Sequence, residues 1–333
     1  MKRTCLPMHR REFLGLVSGA AVTWPGLTRA QDAKTIPRLC FITYDRGTVQ
    51  STRYTPFFEA LRQLGYVDGK TISIAYLSAD GRADGYPALT TECLRLNPDI
   101  IAVSTTPAAQ AAKDATRAIP IVMISLGDPV GTGLVKSLAR PEGNVTGVTF
   151  MAPVLAAKRL ELLKELAPQV SRVFVLTHLA DPIAAPQLKA LEEAAKLLGT
   201  KLQIYDIGAA ADLPAAFEAA VNGKAEALIT TGESIFAANR DRITKLAAAH
   251  RLPAIYSQRI IAEAGGLITY NADASELYGG AATYVDKILK GAKPADLPVQ
   301  QPVRFELVVN LKTAKALGLT IPQSILLRAD LIE

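Results

Sequence analysis

IIAVSTTPAAQAAKDATRAIPIVMIS, residues 100–125, sets out in order a short β-rich run, a Ser-Thr-Thr-Pro turn, an alanine-rich helical stretch, a proline and a second β-rich run. A strand covered on both faces is a nearly continuous apolar sequence, and the return to a parallel neighbour needs a helical crossover. The stretch therefore predicts a parallel βαβ unit. ALITTGESIFAANRDRITKLAAAHRLPAIYS, residues 227–257, repeats the plan: strand, Thr-Thr, a longer helix, proline, strand. The echo favours two similar α/β lobes over one long sheet.

Working outward, RLCFITY (38–44), TISIAYL (71–77), IIAVST (100–105), IVMISL (121–126) and VTGVTF (145–150) make a first set of strands. The alternation restarts after Met151 with RVFVLT (172–177), KLQIYDI (201–207), EALITT (226–231), PAIYS (253–257) and GLITYN (266–271). ASELYGGAATYVDKILKG (274–291) predicts a long helix ended by Gly291. The proline-punctuated AKPADLPVQQPVRFELVVN (292–310) is too extended for a helix and too apolar at its end for a free linker. It can cross between lobes, which makes three crossings, near Met151, near Asn271 and within 298–305. The expected fold class is α/β, two Rossmann-like lobes with parallel sheets joined by three crossovers. The first lobe takes residues 36–150 and 272–298, the second 151–271 and 299–333.

The N-terminal HRREFLGLVSG (9–19) belongs to neither lobe. A spanning helix needs about 20 mostly apolar residues, and the uncharged run from Phe13 to Thr28 is broken by Gly15, Gly19, Pro25 and Gly26. A basic start, an apolar centre and a small-residue exit at Thr28-Arg29-Ala30 predict an export signal, residues 1–30. Arg10 and Arg11 ahead of Phe13 and Leu14 resemble the twin-arginine type. The processed chain is expected to begin near Gln31, in the periplasm. Residues 1–30 carry five basic side chains against Glu12, so the formal charge of +6 falls to near +2 without them, which gives no nucleic-acid footprint. Cys40 and Cys93 then remain, one in a strand and one on a helix, and are expected to be buried free thiols.

In open parallel sheets ligands bind beyond the carboxyl ends of the strands, where helix N-termini present free N–H groups. Three such ends carry a Thr-Pro or Asp-Pro pair: Thr106-Pro107, Asp128-Pro129 and Asp181-Pro182. Each pair also suits a helix cap followed by proline, and capping is compatible with binding where the cap lies at a cleft. Read as a site, Ser104, Thr105 and Thr106 with the amides opening the next helix hold a carboxylate, and Asp128 accepts from an ammonium. That set suits an α-amino acid or a similar small polar molecule. The glycine-rich stretch 127–149 lacks both the Walker ending and the third glycine of a dinucleotide fingerprint. Of three histidines, His9 leaves with the signal, and His178 and His250 lack metal-ligand spacing. HExxH and GxSxG are absent, and Glu233 and Asp241 read as helix-terminal or solvated charges, so no catalytic residue, metal or cofactor is expected.

GDPVGTGLVKSLARPEGNVTGVT (127–149), KRLELLKELAP (158–168), RLPAIYS (251–257), EAGGLITY (263–270) and the whole of residues 284–333 closely resemble the bacterial ABC transporter substrate-binding protein family that includes tryptophan/tyrosine-type uptake proteins. The resemblance implies a type I periplasmic binding protein fold, a cleft between two lobes that closes on its ligand, and delivery to an ABC permease and its ATPase. By this analogy Ser104, Thr105, Thr106 and Ala108 stand where relatives have a Gly-Thr-Pro-Ala turn, and Asp128 in their Gly-Asp-Pro turn. Thr177-His178 replaces an Asn-Pro and Gly232-Glu233 an Asp-Pro type turn, while Tyr44, Asp45, Tyr256 and Tyr270 supply stacking or polar walls. The expected function is a monomeric periplasmic solute-binding protein for an amino acid or aromatic carboxylate. Its rivals are a ligand sensor or a hydrolytic enzyme on the same scaffold.

Overall fold

The structure, a computed structural model, describes residues 36–333 apart from Ser51. The expected export signal and its exit lie outside the described residues. Strands β1 (Arg38–Thr43), β2 (Ser73–Ser78), β3 (Ile100–Val103), β4 (Ile121–Leu126) and β5 (Val145–Thr149) form a five-stranded parallel sheet ordered β2-β1-β3-β4-β5. A second, seven-stranded sheet holds β6 (Arg172–Thr177), β7 (Lys201–Asp206), β8 (Ala227–Thr230), β9 (Ala254–Tyr256), β10 (Ile268–Ala272), β11 (Phe305–Asn310) and β12 (Asp330–Ile332). Its order is β12-β11-β10-β9-β8-β6-β7.

Helices α1 (Thr55–Gln63), α2 (Tyr86–Arg95), α3 (Thr106–Ala115), α4 (Ala152–Leu166), α5 (Ala184–Leu197), α6 (Leu213–Asn222), α7 (Ser234–Ala238), α8 (Arg240–Ala249), α9 (Arg259–Glu263) and α10 (Ala274–Leu289) lie between them. Strand periodicity explains how they are shared out. Leu39 and Phe41 of β1 pack with Phe57 and Phe58 of α1 and Val285 of α10. Cys40 and Ile42 turn to the other face, with Cys93 of α2 and Ala108 and Ala112 of α3. In β6, Val173 and Val175 meet Leu160 and Leu163 of α4 and Leu191 of α5, whereas Phe174 and Leu176 meet Phe217 and Ile243. Burial on both faces is why these strands read as unbroken apolar runs.

The chain passes between the sheets at three places. β5 leads through Phe150 and Met151, the latter at φ 58°, into α4 on the second sheet. β10 leads through Asp273, whose carboxylate caps α10 by accepting from the Glu276 N–H at 2.8 Å, and α10 returns to lie on β3, β4 and β5. The third passage follows Gln300, which pairs with the first sheet through Gly147 and Thr149 at 2.9 Å each. Val299 likewise donates to the Leu138 carbonyl at 2.7 Å, so the expected division after residue 298 falls short and the chain leaves the first lobe only beyond Gln300. The second and third passages are tied together, because the Glu276 carboxylate accepts the N–H groups of Val303 and Arg304 at 3.1 and 2.9 Å.

The second sheet departs from an all-parallel arrangement at one pair, since β11 runs antiparallel to β10. The chain leaves the lobe at the cleft end of β10 and re-enters at the same end, so β11 must run back the other way. Cys40 and Cys93 also depart from expectation, forming a disulfide across a Cα separation of 6.0 Å. Cys40 alternates onto the face that α2 covers, and Cys93 shares the buried side of α2 with Tyr86 and Thr90. Spacing along the chain does not show that coincidence of faces. No described helix is long and apolar enough to cross a membrane.

Closing a loop across a sequence separation of 53 residues removes about 4 kcal/mol of unfolded-chain entropy in the loop-closure treatment, against typical measured effects of about 2–4 kcal/mol. Urea unfolding of Cys40→Ala/Cys93→Ala is expected to show a loss in that range. Thiol titration in denaturant, on chain lacking residues 1–30, is expected to find no free thiol before reduction; two free thiols would contradict the bond.

Candidate functional site

Between the carboxyl ends of the two sheets lies a cavity of about 170 Å³. The first lobe contributes the β3–α3 turn, the end of β4 and the residues before α1; the second contributes the ends of β6, β8, β9 and β10. Tyr54, Leu126, Phe150, Ile183, Leu277 and Tyr278 give it apolar walls.

At the β3–α3 turn, extended Thr105 caps the helix by accepting the Ala108 N–H at 3.3 Å, and Pro107 fits the first turn because its missing N–H is not needed there. The Thr106 N–H has no helical partner and the helix dipole makes this end attractive to an anion. Ser104 and Thr106 stand beside it in the wall, the Ser104 hydroxyl bonded to Thr43 at 3.0 Å. One strand over, β4 slips register between Ile124 and Leu126, and Ser125 takes φ 82°. Such a bulge re-aims side chains at a sheet edge, and Ser125 lines the cavity. A Cβ on the next glycine, Gly127, would stand 2.9 Å from Cβ of Ala152 and 3.1 Å from Ile183, so only a bare backbone lets the second lobe sit this close.

Across the gap, Asp181 follows β6 and is 7% exposed. One carboxylate oxygen accepts from the Ile183 N–H at 3.1 Å. Burial pushes the carboxyl up to about 6, against the opposing pull of that hydrogen bond and of His178. Glu233 lies behind it, 1% exposed, its carboxyl pushed up to about 8 by burial and then by the charge of Asp181. The Thr231 hydroxyl and the Gln187 amide donate to Glu233. Gln187 Oε1 in turn accepts from the Gly232 N–H at 2.9 Å and from Arg159 at 3.4 Å. Arg159 is fully buried, its guanidinium lowered to about 10 by burial despite Glu233, and it also donates to the Tyr270 carbonyl at 3.3 Å. This network fixes the turn after β8 that carries Gly232 and Ser234 into the wall.

Arg53 joins the lobes. From the first lobe it pairs with Asp45 and lies 4.8 Å over the Tyr54 ring. Its other nitrogens donate to Gln258 Oε1 at 2.6 Å and Ser234 Oγ at 3.2 Å, both in the second lobe.

Of the residues expected from sequence, Ser104, Thr105, Thr106 and Gly232 line the cavity. Asp128 does not: no helix follows it, and its carboxylate accepts from the Gly131 N–H at 2.9 Å, closing its own turn. Ala108 is fully buried below the cap, and Thr177 is fully buried under β6's end. Tyr44, Asp45 and His178 border a neighbouring cleft between the lobes, where His178 Nδ1 bonds the Ile207 carbonyl at 2.7 Å. Glu233 stands behind the wall, Tyr256 is 1% exposed in the core, and Tyr270 stacks on Phe305 with centroids 6.0 Å apart. Sequence analysis named Asp181 only as one of three capped strand ends and did not single out Arg53, Tyr54, Ser234, Ser257, Gln258, Asn271 or Tyr278 as wall residues. Ser257 and Asn271 sit at strand ends, so the carboxyl-edge rule contains the signal for them. Arg53 and Tyr54, in a loop ahead of a helix, carry none.

The model of the family described as ABC transporter substrate binding protein matches residues 48–332. A "Tyrosine-binding protein" of Clostridioides difficile is 29% identical over 263 residues, 79% of this chain and 75% of that protein. The ABC domain from Streptococcus pneumonia in complex with L-Trp superposes with a TM-score of 0.82 at 26% identity, covering 89% of this chain and 99% of that one. A ligand-free, open substrate binding protein with adhesive properties from Clostridium difficile gives 0.65 at 27% identity, covering 90% and 99%. With nearly all of the described chain matched to the one family model, and the two-lobed fold shared with these relatives, this chain belongs to the ABC transporter substrate binding protein family.

Proposed function

We propose that the chain is the solute-binding component of an ABC importer, that it works outside the cytoplasm, and that it closes its lobes around an α-amino acid with an aromatic side chain. The observation that carries this is the pairing, across one apolar-walled cavity, of the Asp181 carboxylate with the hydroxyls and free amide at the start of α3. The first suits an ammonium and the second a carboxylate. A cavity of about 170 Å³ is close to the roughly 150 Å³ that accepts a benzene ring in an engineered protein core. The tyrosine-binding relative and the tryptophan complex support the same solute class. The Cys40–Cys93 disulfide supports an oxidising compartment, where such bonds persist.

The charge balance is suited to one ammonium. Burial raises both carboxyls and the charge of Asp181 raises Glu233 further, so Glu233 holds its proton to higher pH than Asp181 and near pH 7 the pair favours a single negative charge, on Asp181. Function here is differential affinity: the ligand stabilises the closed lobes because only there do both walls reach it. The solute leaves unaltered for a permease and its ATPase.

Calorimetric titration of the purified protein with L-tyrosine and L-tryptophan is expected to give one site per chain. Asp181→Asn is expected to weaken binding by about 10- to 100-fold, the value of a hydrogen bond to a charged group, while Asp128→Asn stays near wild type. Because the ammonium needs the ionised form of Asp181, affinity is expected to be near its plateau around pH 7 and to fall towards tenfold per pH unit below about 6. Unchanged affinity in Asp181→Asn, or a flat profile down to pH 5, would refute the assigned contact.

Closure gives a separate test. Arg53→Ala removes the bridge to Gln258 and Ser234, and Gly127→Val places methyl groups where Ala152 and Ile183 approach. Each is expected to weaken binding by about tenfold or more, within the 1–3 kcal/mol typical of a coupling free energy. Solution scattering of the ligand-saturated variants is expected to show a larger radius of gyration than wild type. Identical scattering would remove Arg53 and Gly127 from the closing mechanism.

A further inference from the structure

Two buried polar atoms of the cavity wall have no hydrogen-bond partner among the described residues. Ser257, immediately after β9, is 1% exposed, lines the cavity, and its Oγ is unpartnered among the described residues. Asn271, near the end of β10, also lines the cavity, and its buried Oδ1 is likewise unpartnered among the described residues. A buried polar atom left without a partner costs roughly 1–3 kcal/mol, so such atoms are rare unless something fills them. Both belong to neighbouring strands at the ligand-facing edge, one strand end beside the other.

Their place in the sheet says which part of a ligand they would meet. In the order β6-β8-β9-β10, Asp181 follows β6, Ser257 follows β9 and Asn271 lies on β10. Adjacent strands are about 4.8 Å apart, which separates Asp181 from the other two by roughly 10–14 Å along the rim. A hydrogen bond of about 3 Å at either end leaves a ligand whose two polar groups are roughly 4–8 Å apart. An α-amino group and a polar atom at the far end of an aromatic side chain meet that description. Phe150, Leu277 and Tyr278 supply the apolar wall for the ring between them.

Building on the amino-acid reading above, we infer that Ser257 and Asn271 read a hydrogen-bond donor at the far end of the ligand's ring, and so select a phenol or an indole over an unsubstituted phenyl. Asn271 Oδ1 can only accept, and therefore calls for an O–H or N–H. The Ser257 hydroxyl both donates and accepts, so a phenolic oxygen satisfies both residues and an indole nitrogen satisfies Asn271. A phenyl group would displace any water there and leave both atoms bare, and a site built to bond a ligand's O–H or N–H discriminates strongly against the analogue lacking it.

The test is competitive calorimetry of the purified protein with L-tyrosine, L-tryptophan and L-phenylalanine, followed by the same series on Asn271→Leu and Ser257→Ala, with melting temperatures confirming that the variants fold. Tyrosine and tryptophan are expected to bind wild type at least about tenfold more tightly than phenylalanine, since even one bare buried group at about 1.4 kcal/mol gives that factor. Asn271→Leu is expected to bring the three affinities to within about threefold of one another, and Ser257→Ala to reduce the preference for tyrosine over tryptophan. Phenylalanine binding as tightly as tyrosine, or a ratio untouched by Asn271→Leu, overturns the assignment while leaving the amino-acid reading intact. Failure of all three to bind overturns both.

Discussion

The organisation of this protein follows from where the chain is allowed to pass between its two sheets. Parallel strands end on the same edge, and both sheets present that edge to one gap, so the polar residues of the cavity wall come mostly from strand ends and the turns that follow them, with Leu277 and Tyr278 added from α10. The passages after β5 and β10 and the one beyond Gln300 lie at that edge too. Glu276 holds the second and third together by accepting from Val303 and Arg304. Three tethers crossing the gap are the connection that the proposed hinge closure would use. The antiparallel β11 is the topological trace of the same constraint, because a strand that re-enters at the cleft has only one direction available.

The polar groups near the gap divide by what they can do. Arg159, Gln187 and Glu233 are buried and mutually bonded, and their role is to hold the Gly232 turn in place. Breaking such a network costs more than its net contribution to stability, so it specifies a conformation even where it adds little to the fold's free energy. Asp181 is different. It has one protein hydrogen bond, from Ile183, and burial has already raised its carboxyl. On the proposed amino-acid reading, an ammonium at Asp181 would offset the desolvation that raises its carboxyl.

Much of the fold was legible in the sequence because βαβ units write their structure locally. The strand ends of residues 100–125 and 227–257 lie where the apolar runs stop, and the Ser-Thr-Thr-Pro turn opens a helix as its residue types require. The disulfide was not legible, since it depends on which face of β1 meets which side of α2. The site was legible only in part. Thr105 and Asp128 both read as caps at strand ends, a position compatible with binding, and chemistry along the chain does not separate them. Position does, because Thr105 caps a helix that points into the gap, whereas Asp128 folds back on Gly131. Arg53 was invisible for a related reason: its partners Ser234 and Gln258 lie 181 and 205 residues away, in the other lobe.

Closure and recognition draw on the same contacts. Arg53 spends its guanidinium on Asp45, Ser234 and Gln258, and so bonds protein on both sides of the gap while standing in its wall. Those bonds favour the closed lobes with or without cargo, and a large preference of that kind would shut the site before a ligand could enter. The opposing terms lie in the same wall: the raised Asp181 carboxyl, and the unpartnered Ser257 and Asn271, are each more costly in a closed, empty site than in an open, wet one. In the proposed closing mechanism, an arginine bridge that pulls the lobes together is opposed by buried polar groups that resist until they are satisfied. On that reading the ligand shifts the balance by its differential affinity, since it bonds groups that only the closed site brings together.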